Sequence, residues 1–169
     1  TVYVNPLPVA VATPSSQLIC SGNTTAISLS SATPGTSFIW TASGPAAITG
    51  FSDGTGSAIN QTLTNSSSAA QNVNYVISPT ANGCDGPSIT VTVTVKATPV
   101  FTTSPLNQTI CSGSPLLIPL SSNIPQVSFS WTATTTGAVT GFSNGSGSVI
   151  SQTLVNNDSV THQVVYSVA

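Results

Sequence analysis

Ile89-Thr-Val-Thr-Val-Thr-Val95 alternates β-branched apolar residues with threonine without a break, the pattern of a β-strand with one buried and one wet face. Ala26-Ile-Ser-Leu-Ser30, Ile59-Asn-Gln-Thr-Leu63 and Val73-Asn-Tyr-Val-Ile77 are shorter runs of the same kind. Ser37-Phe-Ile-Trp-Thr41 and Ser128-Phe-Ser-Trp-Thr132 set Phe and Trp two residues apart, so both rings share a face and point inward as core. Leu117-Ile-Pro-Leu-Ser121 carries Pro119, which has no N–H to give a ladder and so predicts an edge strand or a bulge. Stretches rich in Gly, Pro, Asn and Ser separate these runs and read as turns. No segment shows helical periodicity. The strand ending at Val95 would be an aggregation hazard on an open edge, so a neighbour must pair it.

The same landmarks return at one fixed spacing. Cys20-Ser21-Gly22 recurs as Cys111-Ser112-Gly113, and Trp40-Thr41-Ala42 as Trp131-Thr132-Ala133. Gly50-Phe51-Ser52 recurs as Gly141-Phe142-Ser143, and Gln61-Thr62-Leu63 as Gln152-Thr153-Leu154, each pair 91 positions apart. A fixed period marks an array of similar units, and about 90 residues is the size of a small β-sandwich domain. The expected class is all-β: tandem antiparallel β-sandwiches. Val2 and Val4 match Val93 and Val95, and Pro8-Val9 match Pro99-Val100. Residues 1–7 therefore read as the closing strand of a preceding repeat, 8–98 as one repeat, and 99–169 as a second repeat lacking its last strand. The join at 96–99 (Lys-Ala-Thr-Pro) is very short, which predicts a stiff string. We expect a window on a longer tandem array.

Composition changes the picture by exclusion. Charged residues are 2% of the chain, against about 25% in an ordinary soluble domain. The inventory is Asp53, Asp85, Asp158 and Lys96, with one histidine, His162. A single lysine cannot displace the counterions of a nucleic acid, nor hold an anionic membrane surface. No run reaches the roughly 18–20 apolar residues of a membrane-spanning helix. We expect no nucleic-acid partner and no direct membrane insertion. A surface solvated by hydroxyls suits an extracellular setting.

The residues that could carry chemistry are few. Cys20 and Cys84 flank Trp40 in the order of an immunoglobulin-like core. A Cys20–Cys84 disulfide would staple the rim of the sandwich, but in a seven-strand topology it requires Cys20 on a kinked first strand near the far end. Free thiols or metal ligation are the alternatives. The partner of Cys111, one period beyond Cys84, falls outside the chain. Trp40 and Trp131 could stack on sugars, although their place in a strand favours the core. Phe51 and Phe142, set in Gly-Phe-Ser-(Asp/Asn)-Gly beside loops, are the better candidates for contact, against packing under the loop. Asp53-Gly-Thr-Gly-Ser57 and Asn144-Gly-Ser-Gly-Ser148 resemble calcium or phosphate loops, yet calcium wants several carboxylates and each run has one at most. We expect no cofactor and no metal. Catalysis fails by inventory, since His162 replaces Gln71 of the first repeat and no nucleophile–base set recurs in both units.

Taken together, Ile-Cys-Ser-Gly, Phe-x-Trp-Thr, Gly-x-Gly-Ser-x-Ile-x-Gln-x-Leu, Val-x-Tyr, Asn-Gly-Cys and Val-Thr-Val resemble the PKD-like and immunoglobulin-like repeats of large Bacteroidota cell-surface proteins. Gliding-motility adhesins are examples. The resemblance implies type IX secretion, display on the cell surface, and a non-catalytic stalk role in a long adhesin or filament. Its partners would be neighbouring repeats of the same array, with extracellular glycans or surfaces engaged through other domains. Asp158-Ser159-Val160 is similar to an O-glycosylation signal used in that phylum, which makes Ser159 a candidate site. Two other functions stay open on the residues alone: a small filament subunit assembled by donor-strand exchange, and a carbohydrate-binding module.

Overall fold

Alternation along the chain becomes alternation of burial. In the strand Gln71–Ala81, Val73, Tyr75 and Ile77 are fully buried while the residues between them face out. In Ile89–Lys96, Val91, Val93 and Val95 are buried and the intervening threonines half-buried. The computed structural model describes residues 1–169 and falls into two units, Thr1–Thr98 and Pro99–Ala169. It contains no helix.

The first unit runs β1 (Val11–Thr13), β2 (Ser16–Cys20), β3 (Ile27–Ser30), β4 (Ser37–Ser43), β5 (Ile48–Thr49), β6 (Gly54–Thr55), β7 (Ala58–Ile59), β8 (Thr64–Asn65), β9 (Gln71–Ala81), β10 (Cys84–Asp85) and β11 (Ile89–Lys96). One sheet has the order β2-β11-β9-β4-β6, with β10 hairpinned onto β9; the other is β1-β3-β7, and β5 pairs β8. Their inner faces share one hydrophobic core containing Ile27, Leu29, Phe38, Trp40, Ile59, Leu63, Tyr75 and Val93. The first strand is kinked: β1 pairs with β3, and after Pro14 the chain crosses to the other sheet, where β2 runs parallel to β11. All other pairings are antiparallel. β11 thus has β2 on one side and β9 on the other, which resolves the edge hazard. Residues 1–7 form no strand, and Val2 and Val4 are 88% and 90% exposed.

The second unit runs β12 (Pro115–Pro119), β13 (Ser130–Thr135), β14 (Val139–Thr140), β15 (Gly145–Ser146), β16 (Val149–Thr153), β17 (Val155–Asn156) and β18 (Val164–Val168). β12 pairs only with β16, so Pro119 sits on an edge. β13 lies between β15 and β18. Residues 107–111, one period after β2, form no strand, because nothing takes the place of β11 beside them. The same gap uncovers the core: Val164, Tyr166 and Val168 are half-buried, whereas Val73, Tyr75 and Ile77 are fully buried. A groove of about 630 Å³ lies there, walled by Ile110, Ile118, Leu120, Ile150, Tyr166 and Val168 among others.

The two units differ at one predicted strand. Residues 59–63 were expected to run as one strand. In the second unit the counterparts of 59–62 do, within β16 along β12. In the first unit the strand stops at Ile59, because the buried Thr25 hydroxyl donates to Ile59 O (2.8 Å) and accepts from Gln61 N (2.9 Å). The position one period on is Leu116, which has no hydroxyl to insert into the ladder.

Candidate functional site

Each unit is organised around one hub. In the first, the Trp40 indole N–H donates to Ser52 O (3.2 Å), and Gln61 Nε2 donates to the same oxygen (2.8 Å). Gln61 Oε1 accepts from Ser52 N (3.0 Å) and from the Tyr75 hydroxyl (2.8 Å). Burial pushes the Tyr75 hydroxyl up to about 12. In the second unit Trp131 donates to Ser143 O (3.2 Å), Gln152 Nε2 to that oxygen (2.8 Å), and Tyr166 to Gln152 Oε1 (2.6 Å). Burial raises the Tyr166 hydroxyl as well. The indoles are 7% and 8% exposed, so neither is open to a sugar.

The glycine-rich runs serve this hub. A Cβ on Gly54 would stand 2.5 Å from Trp40 Cζ2, and one on Gly145 2.6 Å from Trp131 Cζ2. The side chain before each glycine ties down β4 or β13: Asp53 Oδ1 accepts from Ala42 N (2.7 Å), and Asn144 Oδ1 from Ala133 N (2.8 Å). An amide does in one unit what a carboxylate does in the other, so the acceptor is needed and the charge is not. No group of three His, Cys, Asp or Glu side chains is placed to hold a metal.

The cysteines require a correction. Cys20, Cys84 and Cys111 are all free, and the expected Cys20–Cys84 bridge does not form. The first strand is kinked as the bridge required, but it runs the wrong way for it. Parallel pairing puts Cys20 opposite Lys96, at the end of the sheet where Val95 faces Gln71. Cys84 pairs with Ala81 at the other end of β9. Ten residues of strand separate Gln71 from Ala81, roughly 33 Å, whereas a disulfide needs Cα atoms within about 7 Å.

The remaining candidates fall apart from one another. Phe51 is half-buried against the first core, facing Gly44, and Phe142 is half-buried in the second unit. Ser159 is exposed on the turn between β17 and β18, with its amide bound to Asp158. His162 holds Asp158 at 3.0 Å, and that hydrogen bond, followed by the Ser159 amide, lowers the Asp158 pKa.

The profile of the PKD-like domain matches residues 17–99 and again residues 108–169, two matches that begin 91 positions apart. The chain belongs to the PKD-like domain family. No curated protein sequence matches it. A solved structure, the crystal structure of DIP-gamma IG1+IG2, is similar at a TM-score of 0.49 and 11% identity over 96% of each chain, a likeness too remote to carry an argument. The chain is a tandem of PKD-like β-sandwiches, a class that fits a structural or adhesion-type repeat and is typically non-catalytic.

Sequence reasoning passed over one residue that shapes each PKD-like unit. Asn65 opens an Asn-x-Ser sequon, but it is 5% exposed and its Nδ2 donates to Ala69 O (2.8 Å) and Val95 O (2.9 Å). It fastens the turn after β8 to the closing strand. Asn156 keeps the bond to Val160 O (2.8 Å), with no strand beside it to receive the second. Its recurrence one period apart was the available signal.

Proposed function

We propose that this chain is a length of stalk in a long, secreted cell-surface adhesin or filament, in which each PKD-like unit is a rigid bead and short proline joints set the spacing. The observation that carries the reading is what repeats. The polar side chains of the hub, Trp, Gln and Tyr, recur one period apart, and each spends its hydrogen bonds on its own unit. The scaffold repeats while Asp53, Asp158 and His162 do not, each having a neutral or different counterpart one period away. Hydroxyl-rich faces keep such a stalk hydrated with little dependence on salt. Ser159, exposed at a loop tip, is available for O-glycosylation. The test is labelling of intact, unpermeabilised source cells with an antibody to the first unit. The reading expects surface signal that protease shaving removes; signal only after lysis sinks it.

A second reading, a filament subunit built by strand exchange, draws on the apolar groove of the second unit and on the bare residues 1–7. Val2 and Val4 of a second copy would lie where Val93 and Val95 lie in the first unit. Sedimentation decides it: assembly that grows with concentration and vanishes on removal of residues 1–7 supports it, and a monomer at every concentration refutes it.

A further inference from the structure

Asn-Gly occurs twice in the chain, as Asn82-Gly83 and as Asn144-Gly145. With no Cβ on the following residue, the glycine nitrogen is free to approach the carboxamide carbon of the asparagine before it. The fold treats the two pairs differently.

Asn82 and Gly83 are the two central residues of the hairpin from β9 to β10, where Cys84 faces Ala81. Their φ angles are 51° and 76°, the left-handed backbone of a type I′ turn. Asn82 is exposed. The bonds that reach it go to its main-chain oxygen, from Asn5 Nδ2 (3.2 Å) and the Cys84 thiol (4.0 Å), and leave its carboxamide free. No main-chain carbonyl receives the Gly83 N–H. β10 is two residues long and pairs only with β9, so the tip of this hairpin opens at small cost.

Asn144 is held. Its Oδ1 accepts from Ala133 N (2.8 Å), and Gly145 lies in β15, paired with Trp131. A Cβ on Gly145 would stand 2.6 Å from the indole Cζ2, so the peptide is pressed against the hub. For Gly145 N to reach Asn144 Cγ, the bond to Ala133 must break and β15 must leave β13.

We propose that Asn82 is a site of spontaneous deamidation and that Asn144 is protected from it by the fold of its own unit. Gly83 N attacks Asn82 Cγ. The new N–C bond forms, the Cγ–Nδ2 bond breaks, and ammonia leaves with the proton that Gly83 N gives up. Water then opens the succinimide ring. Cleavage of the new bond gives aspartate, and cleavage of the original peptide bond gives isoaspartate; no electrons are exchanged. Either product puts a carboxylate at the hairpin that carries Asp85, in a chain of formal charge −2. Isoaspartate also adds a methylene to the main chain. A two-residue turn has no length to absorb it, so the pairing of Cys84 with Ala81 and of Asp85 with Thr80 is lost. The first unit thus carries an irreversible mark of age at one end of β9. At position 144 an aspartate would change little, because Asp53 makes the same bond in the first unit.

The test is incubation of the folded chain at mildly alkaline pH, followed by isoelectric focusing, chymotryptic peptide mapping and enzymatic methylation of isoaspartate. An acidic form with one added negative charge should accumulate. The mass change of an amide becoming an acid should map to Asn82, with both aspartyl and isoaspartyl peptides present. Asn144 should convert at least about tenfold more slowly in the folded chain than in urea, since β15 must open first. Asn82→Gly keeps a residue suited to positive φ and should abolish the acidic form. An Asn82 that stays intact while the urea-unfolded chain deamidates there overturns the proposal. So does an Asn144 that converts as fast as Asn82 in the folded chain, or an acidic form that survives in Asn82→Gly.

Discussion

Replacing Gly54 by alanine should unfold the first unit's hub from the inside. The added Cβ would stand 2.5 Å from Trp40 Cζ2 and 2.8 Å from Cε2, where relaxed carbon contacts sit at about 3.5–4.0 Å. The neighbour that must move is an indole 7% exposed, whose N–H is bound to Ser52 O at 3.2 Å. A displacement of about 1 Å overpacks the core at a cost of about 1–3 kcal/mol, and weakening the indole hydrogen bond adds up to about 1 kcal/mol. We expect Gly54→Ala to cost about 3 kcal/mol, which for a domain of this size lowers Tm by more than about 10 °C. Trp40→Phe removes the colliding atoms, so Gly54→Ala made on that background should cost less than about 1 kcal/mol, leaving a coupling of about 2 kcal/mol. Scanning calorimetry is the assay, because Trp40→Phe takes away the unit's tryptophan signal. Additive costs in the double variant, or a Tm shift below about 2 °C for Gly54→Ala alone, would refute the packing argument. Gly145→Ala repeats the experiment in the second unit, where the approach to Trp131 is 2.6 Å.

Three further outcomes follow from the same geometry. Asp53→Asn should leave stability within about 0.5 kcal/mol, since Asn144 makes the equivalent bond, whereas Asp53→Ala should cost about 1 kcal/mol; urea titration reads both, and sensitivity to calcium in either would contradict the turn reading. The Tyr75 hydroxyl, raised by burial from 10.0 to about 12, keeps its proton in the folded state after the unfolded chain has lost it. Stability from this group is therefore intact below pH 10 and lost as pH rises through about 12; Tyr75→Phe should flatten that fall, and an unchanged alkaline profile would contradict it. Phe51→Ala should destabilise the first unit by about 2 kcal/mol and leave glycan binding unaltered; a folded Phe51→Ala or Phe142→Ala variant that loses binding on a glycan array would restore the carbohydrate-module reading.

Legibility in the sequence tracked the range of the interaction. The Ile89–Val95 alternation, the Phe38–Trp40 spacing and the fixed period are local signals, and the strands and the buried indoles followed from them. The first strand did not. Ser16-Gln-Leu-Ile-Cys20 has little alternation, and its partner β11 lies more than 70 positions along the chain. Its direction decides which end of the sheet carries Cys20, so the cysteine pairing read from order alone came out wrong. β9 reached Ala81, past the expected stop at Ile77, because Pro79 lies where pairing with β11 has already ended. The hub glutamines were visible as a repeated Gln-Thr-Leu, but nothing in the spacing indicated that they would fasten a tryptophan loop to a tyrosine.

The central claim is that these two units are part of a longer stalk, and the mass of the native polypeptide under reducing, denaturing conditions tests it most directly. The account predicts a chain many times the 16.9 kDa of this segment. A native chain near 17 kDa would contradict it and make exchange of strands between small subunits the leading explanation.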